Sequence, residues 1–321
     1  MGSSPGAAMM VRIYKQDSQL EIWKQVADGS FRLFKTYDIC TFSGDLGPKI
    51  REGDRQSPEG FYTISRGLMN PNSNYYLSFN LGFPNKFDRA YGRTGSHLMV
   101  HGDCSSRGCY AMTDEQIAEI YALARETFTG GNRSFQVQIY PFRMTPQNLA
   151  RYYDNPNIAY WQNLKEGFDY TEVTGKPARW DVCGRKYVFN ARAASGQPLD
   201  ATAACPPLVR DPEVVARVKA LEEKDNQAYQ VAVAEVQSDQ QKAAEAAARR
   251  AQEEADAAER KRLNQIAVAE REKALGDAVN GFFSSIFGGG KAPDTAPVDG
   301  QGPVINSSLV APIPHARISR S

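Results

Sequence analysis

The chain has no run of about eighteen apolar residues, the length a membrane-crossing helix requires, and nothing in it reads as a transmembrane helix. It also lacks a dense Lys/Arg patch interleaved with aromatics. With 38 basic and 37 acidic residues the formal charge is +1, which offers no electrostatic footprint for nucleic acid. Residues 1–10 have neither a basic n-region nor a signal-type hydrophobic stretch, and read as an expression leader ahead of the mature sequence. Cysteine is scarce and odd in number: five, which suits one free thiol plus two pairs. Cys183 and Cys205 flank a polar segment with little packing of its own, so a disulfide closing the loop between them, within a linker over 191–210, is one reading and two buried thiols the other. Cys40 and Cys104 are the candidate second pair, and such a framework implies an oxidising compartment.

What is present divides the chain. At 41% apolar content one sizeable core is expected, but the last third is too polar to belong to it. Val11, Ile13 and Tyr14, then Leu20, Ile22 and Trp23, then Phe31, Leu33 and Phe34 read as short antiparallel strands around an Ala27–Gly29 turn. Phe61 to Ile64, Tyr75 to Phe79, Leu98 to His101 and Phe135 to Ile139 add further strands. Residues 114–128 carry helical spacing, and 145–165 hold a second helix candidate. The fold class is therefore mostly β with helices (α+β), a catalytic body over 11–190. Residues 211–277, crowded with Ala, Glu, Lys, Arg and Gln and free of proline after Pro212, read as a long helical extension separable from that body. It is expected to serve as a spacer or weak coiled coil that binds a partner or self-associates, with docking on the body as the alternative. Residues 278–321 read as a low-complexity tail.

The chemistry concentrates in Leu98–Asp114, where an apolar strand ends in His101 and a short loop follows with Gly102, Ser106, Gly108 and Cys109. A thiol eight residues after a strand-end imidazole supplies a nucleophile and its base. A helix start at Thr113–Gln116 suggests that Cys109 lies near a helix N-terminus, which lowers a thiol pKa. The N–H groups of Gly108 and Cys109 are candidate oxyanion donors, with Ser106 and Gly102 shaping the loop. His97, four residues upstream of His101, shares its face if the strand extends that far. Segment 44–62 offers turns and both signs of charge (Lys49, Arg51, Asp54, Arg55, Glu59), as a zwitterionic peptide needs. Tyr75, Arg93, Lys49, Arg107 and His97 are the candidate substrate contacts. Zinc held by His97, His101, Cys104 and Cys109 is the rival chemistry, but the spacing does not follow a metal-knuckle pattern and no metal is assigned.

The set His101-Gly102, Ser106-x-Gly108-Cys109, Cys109-Tyr-Ala-Met-Thr-Asp114 and Gly44-Asp-Leu-Gly-Pro-Lys with Pro58-Glu-Gly-Phe-Tyr62 resembles the active-site signature of the L,D-transpeptidase (YkuD-type) catalytic domain family, more closely its YafK-like branch. Ala111 stands where many members carry Arg, and the His-to-Cys loop is short. The resemblance implies an L,D-transpeptidase-like β-sandwich and a cysteine acyltransferase without cofactor in the periplasm of a Gram-negative bacterium. There Cys109 would attack peptidoglycan tetrapeptide stems at the L-centre of meso-diaminopimelate and pass the acyl group to an amine. The alternative is hydrolysis of diaminopimelate-linked bonds, including links from murein to an outer-membrane protein or lipoprotein amine.

Overall fold

The computed structural model describes residues 2–106 and 108–288. Strands β1 (Met9–Tyr14), β2 (Gln19–Gln25) and β3 (Phe31–Asp38) form the expected antiparallel meander. They are followed by β4 (Thr41–Phe42), β5 (Gly60–Ser65), β6 (Met69–Ser73), β7 (Tyr76–Asn80), α1 (Lys86–Ala90), β8 (Met99–His101), β9 (Tyr110–Ala111), α2 (Asp114–Thr129) and β10 (Ser134–Tyr140). Two five-stranded sheets result, ordered β3-β2-β1-β10-β5 and β4-β9-β8-β7-β6. Both are mixed: β1 pairs with β10, and β8 with β9, in parallel. Helix α2, capped by Thr113 and Gln116, carries the chain from β9 of the second sheet to β10 of the first and packs on β7, β1 and β8.

The chain forms two large cores where one was expected. Val11, Ile13, Val137 and Ile139 point from the first sheet toward Phe79, Val100, Ile117 and Ile120. On its opposite face Tyr14, Tyr140 and Phe61 meet Trp161, Leu164 and Phe189. Strand alternation accounts for this, because all six residues of β1 are buried and successive side chains serve different cores. The second core is closed by α3 (Pro146–Ala150), α4 (Ile158–Thr174) and the hairpin β11 (Trp180–Cys183)–β12 (Lys186–Phe189). A short ladder, β13 (Arg192–Ala193) with β14 (Leu208–Val209), follows, and Cys183 is bonded to Cys205. Because β1 starts at Met9, the stretch read as a leader reaches into the fold. The Lys24 ammonium donates to the carbonyls of Pro5 and Ala7.

Helix α5 (Pro212–Phe287) extends ten residues past the expected end at 277, and from residue 289 onward the expected tail lies outside the described residues. The chain divides into a unit over 1–245 and a second from Ala246. In the first, the start of α5 is not separable in the way its composition suggested. Val218 is buried in the second core with Val214 and Tyr229 against it, and Lys165 on α4 pairs with both Asp169 (2.6 Å) and Asp225 (2.7 Å). Widely spaced apolar residues concealed this, since one buried side chain per two or three turns suffices for docking. A chain ending at Asp211 is therefore expected to melt about 5 °C or more below the full chain, whereas one ending at Glu245 should stay within about 2 °C, both read by thermal unfolding. In the second unit Leu263, Ile266, Leu275 and Phe282 are exposed. No helix among the described residues is long and apolar enough to cross a membrane.

Candidate active site

The parallel pairing of β8 with β9 sets Val100 opposite Tyr110 and His101 opposite Ala111. Carried one residue back, this register sets Cys109 beside Met99, so alternation puts Cys109 and His101 on one face of the sheet. Cys109 is free and half-buried. Its sulfur accepts the Met99 N–H at 3.4 Å and its S–H donates to the His97 carbonyl at 3.5 Å. Burial pushes the thiol above its ordinary value, against the opposing pull of the Met99 N–H and the Lys49 charge. The helix-terminus expectation is thus corrected: the two residues of β9, Met112 and the Thr113 cap separate Cys109 from α2, and the nearest donor is a strand amide.

His101 is buried, with Nδ1 2.6 Å from the Gly102 carbonyl, which fixes Nδ1 as the protonated nitrogen. Nε2 has no hydrogen-bond partner among the described residues, and no hydrogen bond links the ring to the sulfur. Burial lowers the imidazole below its ordinary value, outweighing the Gly102 carbonyl and the Asp103 charge. The Tyr75 ring lies over it, centroids 4.6 Å apart, while the Tyr75 carbonyl accepts Gly102 N–H at 3.1 Å. Gly102 has no room for a side chain: a Cβ would strike the Asp114 carboxylate and stand 3.0 Å from the Tyr75 carbonyl. Gly102→Ala is therefore expected to cost about 1–3 kcal/mol of stability and to release the ring orientation. Thermal melts paired with Cys109 acylation rates check this, a near-normal rate in folded protein contradicting it.

The loop between the pair is tied from several sides. Cys40 is bonded to Cys104, and Cys40 N–H reaches the Ala111 carbonyl at 2.9 Å, so the disulfide anchors the loop to the far edge of β9. Engaged in that bond, Cys104 drops out of the rival zinc set. Ser106 Oγ accepts the N–H groups of Cys109 (3.1 Å) and Gly108 (3.3 Å) and donates to the Cys109 carbonyl (2.7 Å), to which Ser57 Oγ also donates at 3.0 Å. The expected oxyanion donors are thus engaged by a hydroxyl, which has to yield before they can hold an oxyanion.

The outer candidates fare unevenly. His97 lies before the strand with φ +53°, exposed, so alternation does not reach it and only its carbonyl meets the thiol. Lys49 is buried and paired with Asp54, so its charge bears on Cys109 while its ammonium is not free for a ligand. Arg93 is buried against Asp88 at 2.9 Å. Glu59 presents no charge to solvent, being paired with Lys15, both side chains fully buried, at 3.1 Å. Arg107 lies outside the described residues. Sequence reasoning missed Lys15, Ser57 and the Gly102 carbonyl. The last two act through contacts with no sequence pattern, and a lone lysine ordinarily signals a solvated surface.

The chain belongs to the YkuD L,D-transpeptidase catalytic domain family, whose model matches residues 6–139. It is 44% identical to YafK of Escherichia coli K12, a protein whose name places it among the L,D-transpeptidases, over 58% of this chain and 75% of that one. The corresponding protein of Escherichia coli O157:H7 matches equally. Among solved structures, the helical cell shape determining protein Pgp2 of Campylobacter jejuni aligns at 22% identity and TM-score 0.36, covering 53% of this chain and 58% of Pgp2. Bd1075 of Bdellovibrio bacteriovorus aligns at 16% and 0.30, covering 55% of this chain and 63% of its own. The chain thus spans less than two thirds of either.

Proposed function

We propose that the protein is a periplasmic cysteine acyltransferase acting on peptidoglycan stem peptides, with Cys109 as nucleophile and His101 as base. The observation that carries this is the parallel β8–β9 register, which brings a half-buried free thiol and an imidazole locked through Nδ1 onto one sheet face. The thiol proton passes to His101 Nε2 as sulfur attacks the carbonyl at the L-centre of diaminopimelate. The C–N bond breaks, the leaving amine takes the proton from the imidazolium, and a thioester remains on Cys109. An acceptor amine then attacks the thioester, giving its proton to His101 as the thiolate departs. No metal or cofactor enters any step.

Incubation with tetrapeptide stems followed by intact-mass analysis tests the reading. The expected result is a tripeptide adduct on Cys109 that an amine acceptor converts to transferred product. Release of free stem at the same rate with or without acceptor would replace transfer by hydrolysis, and the absence of any adduct would overturn the catalytic reading.

A further inference from the structure

A groove of 590 Å³ opens beside Pro48 and is lined by Tyr91, Tyr160, Gln162, Arg185 and Glu222 among others. Its floor is a packed aromatic platform. Phe87 stacks on Tyr160 (5.4 Å, 22°), and the Arg93 guanidinium lies 5.1, 5.2 and 5.3 Å from the rings of Phe87, Tyr91 and Tyr160. Asp88 neutralises that guanidinium, so the platform carries no free charge. The Tyr91 ring is half exposed and held in place by its hydroxyl, which donates to the Arg185 carbonyl at 3.0 Å. Around this platform the side chains of Asn157, Gln162, Arg185, Lys186 and Glu222 line the groove without a hydrogen bond or ion pair among the described residues. A second recess of 390 Å³ shares Pro48 and Asn157 with the groove and runs to Asp54 and Gln56. The Gln56 carbonyl at the end of that recess would lie 3.9 Å from a Cβ placed on Gly108, the residue before Cys109.

We infer that this groove binds the sugar strand of the substrate, an N-acetylated amino-sugar chain, while Cys109 works on the peptide attached to it. The inference rests on the stem-peptide reading above. A pyranose ring has one apolar face that stacks on an aromatic ring and an edge of hydroxyl and acetamido groups that pair with uncommitted amides, and the groove offers both. Its unpaired charges are two cations, Arg185 and Lys186, against one carboxylate, Glu222, which suits a nearly neutral polymer better than a polyanion. A purely apolar ligand would leave the Asn157 and Gln162 amides desolvated without partners.

The full-length Cys109→Ala protein, titrated with the N-acetylglucosamine tetramer, is expected to bind it saturably. Adding Tyr91→Ala should weaken that binding about fivefold. So should the pair Gln162→Ala and Arg185→Ala, whose side chains are exposed and leave the cores untouched. With Cys109 present, these substitutions should raise KM for a disaccharide-bearing tetrapeptide about fivefold while KM for the sugar-free tetrapeptide moves less than about twofold. Absent binding, binding indifferent to all three substitutions, or equal KM shifts for both substrates would overturn the inference. If neither substrate acylates Cys109, the stem-peptide reading fails, and the oligosaccharide titration still decides the groove separately.

Discussion

Replacing Cys109 with alanine is expected to lower acyl transfer by more than about ten-thousandfold, because no other described group near β8 and β9 is a free thiol and the rate then falls to what binding alone supplies. His101→Gln should cost about a hundred- to ten-thousandfold, the usual worth of a positioned base. The pH profile discriminates further. Burial raises the thiol above its ordinary 9.0 and lowers the imidazole below its ordinary 6.5, so the resting pair is thiol plus neutral imidazole rather than an ion pair. Catalysis needs the neutral ring, so kcat/KM should rise as pH climbs through a value below 6.5 and stay level through neutrality. Direct alkylation of Cys109 needs thiolate and should keep rising past pH 9.0. An alkylation plateau between about pH 5 and 7 would instead reveal a resting thiolate–imidazolium pair, contrary to this geometry. Both are read from iodoacetamide kinetics with mass detection.

The second large effect lies away from the thiol. Lys15 and Glu59 form an ion pair with both side chains fully buried. The lysine also donates to the carbonyls of Asp45, Gly47 and Ser57, while Glu59 accepts from Gly47 N–H and from the Trp161 indole. Removing one partner leaves an unpaired charge in a low-dielectric interior, so Glu59→Ala or Lys15→Ala should destabilise the fold by about 3–5 kcal/mol. Replacing both by apolar residues of similar volume should cost less than either alone, and a double-mutant cycle in urea measures the difference. The pair fixes segment 44–59, which places the Ser57 hydroxyl on the Cys109 carbonyl and the Pro58 carbonyl on the Tyr110 hydroxyl. Activity should therefore fall in the single variants under conditions where they remain folded. Unchanged stability in both would show that the pair is not the anchor it is described to be.

Much of this molecule is legible in the order of its residues. The meander of the first three strands, the Thr113-capped helix and the β10 strand follow from alternation, helical spacing and capping chemistry, which act over a few residues. The family follows from the Cys109 motif and the Gly44–Tyr62 segment, since short spaced side-chain patterns survive in sequence. Local pattern does not report how strands from distant parts of the chain pair. The parallel partnership of β1 with β10 buries both faces of one strand and so divides the interior into two cores, and no single segment encodes that choice. The same limit applies at the site. Alternation suggested His97 beside His101, but a left-handed residue before β8 ends the strand, and helix proximity suggested an acidified thiol where burial gives the opposite shift. Lys49, Arg93 and Glu59 read as ligand-facing charges because a charged residue is ordinarily solvated. Each is instead buried with a partner, and whether a charge finds a partner across the fold is decided by packing. The sequence by itself singled out the residues proposed to carry the chemistry, because that selection is a matter of side-chain type and short spacing. The tertiary structure alone decided the direction in which burial shifts their titration, the orientation of the imidazole and which charges remain free for a ligand, because burial and long-range contacts set all three.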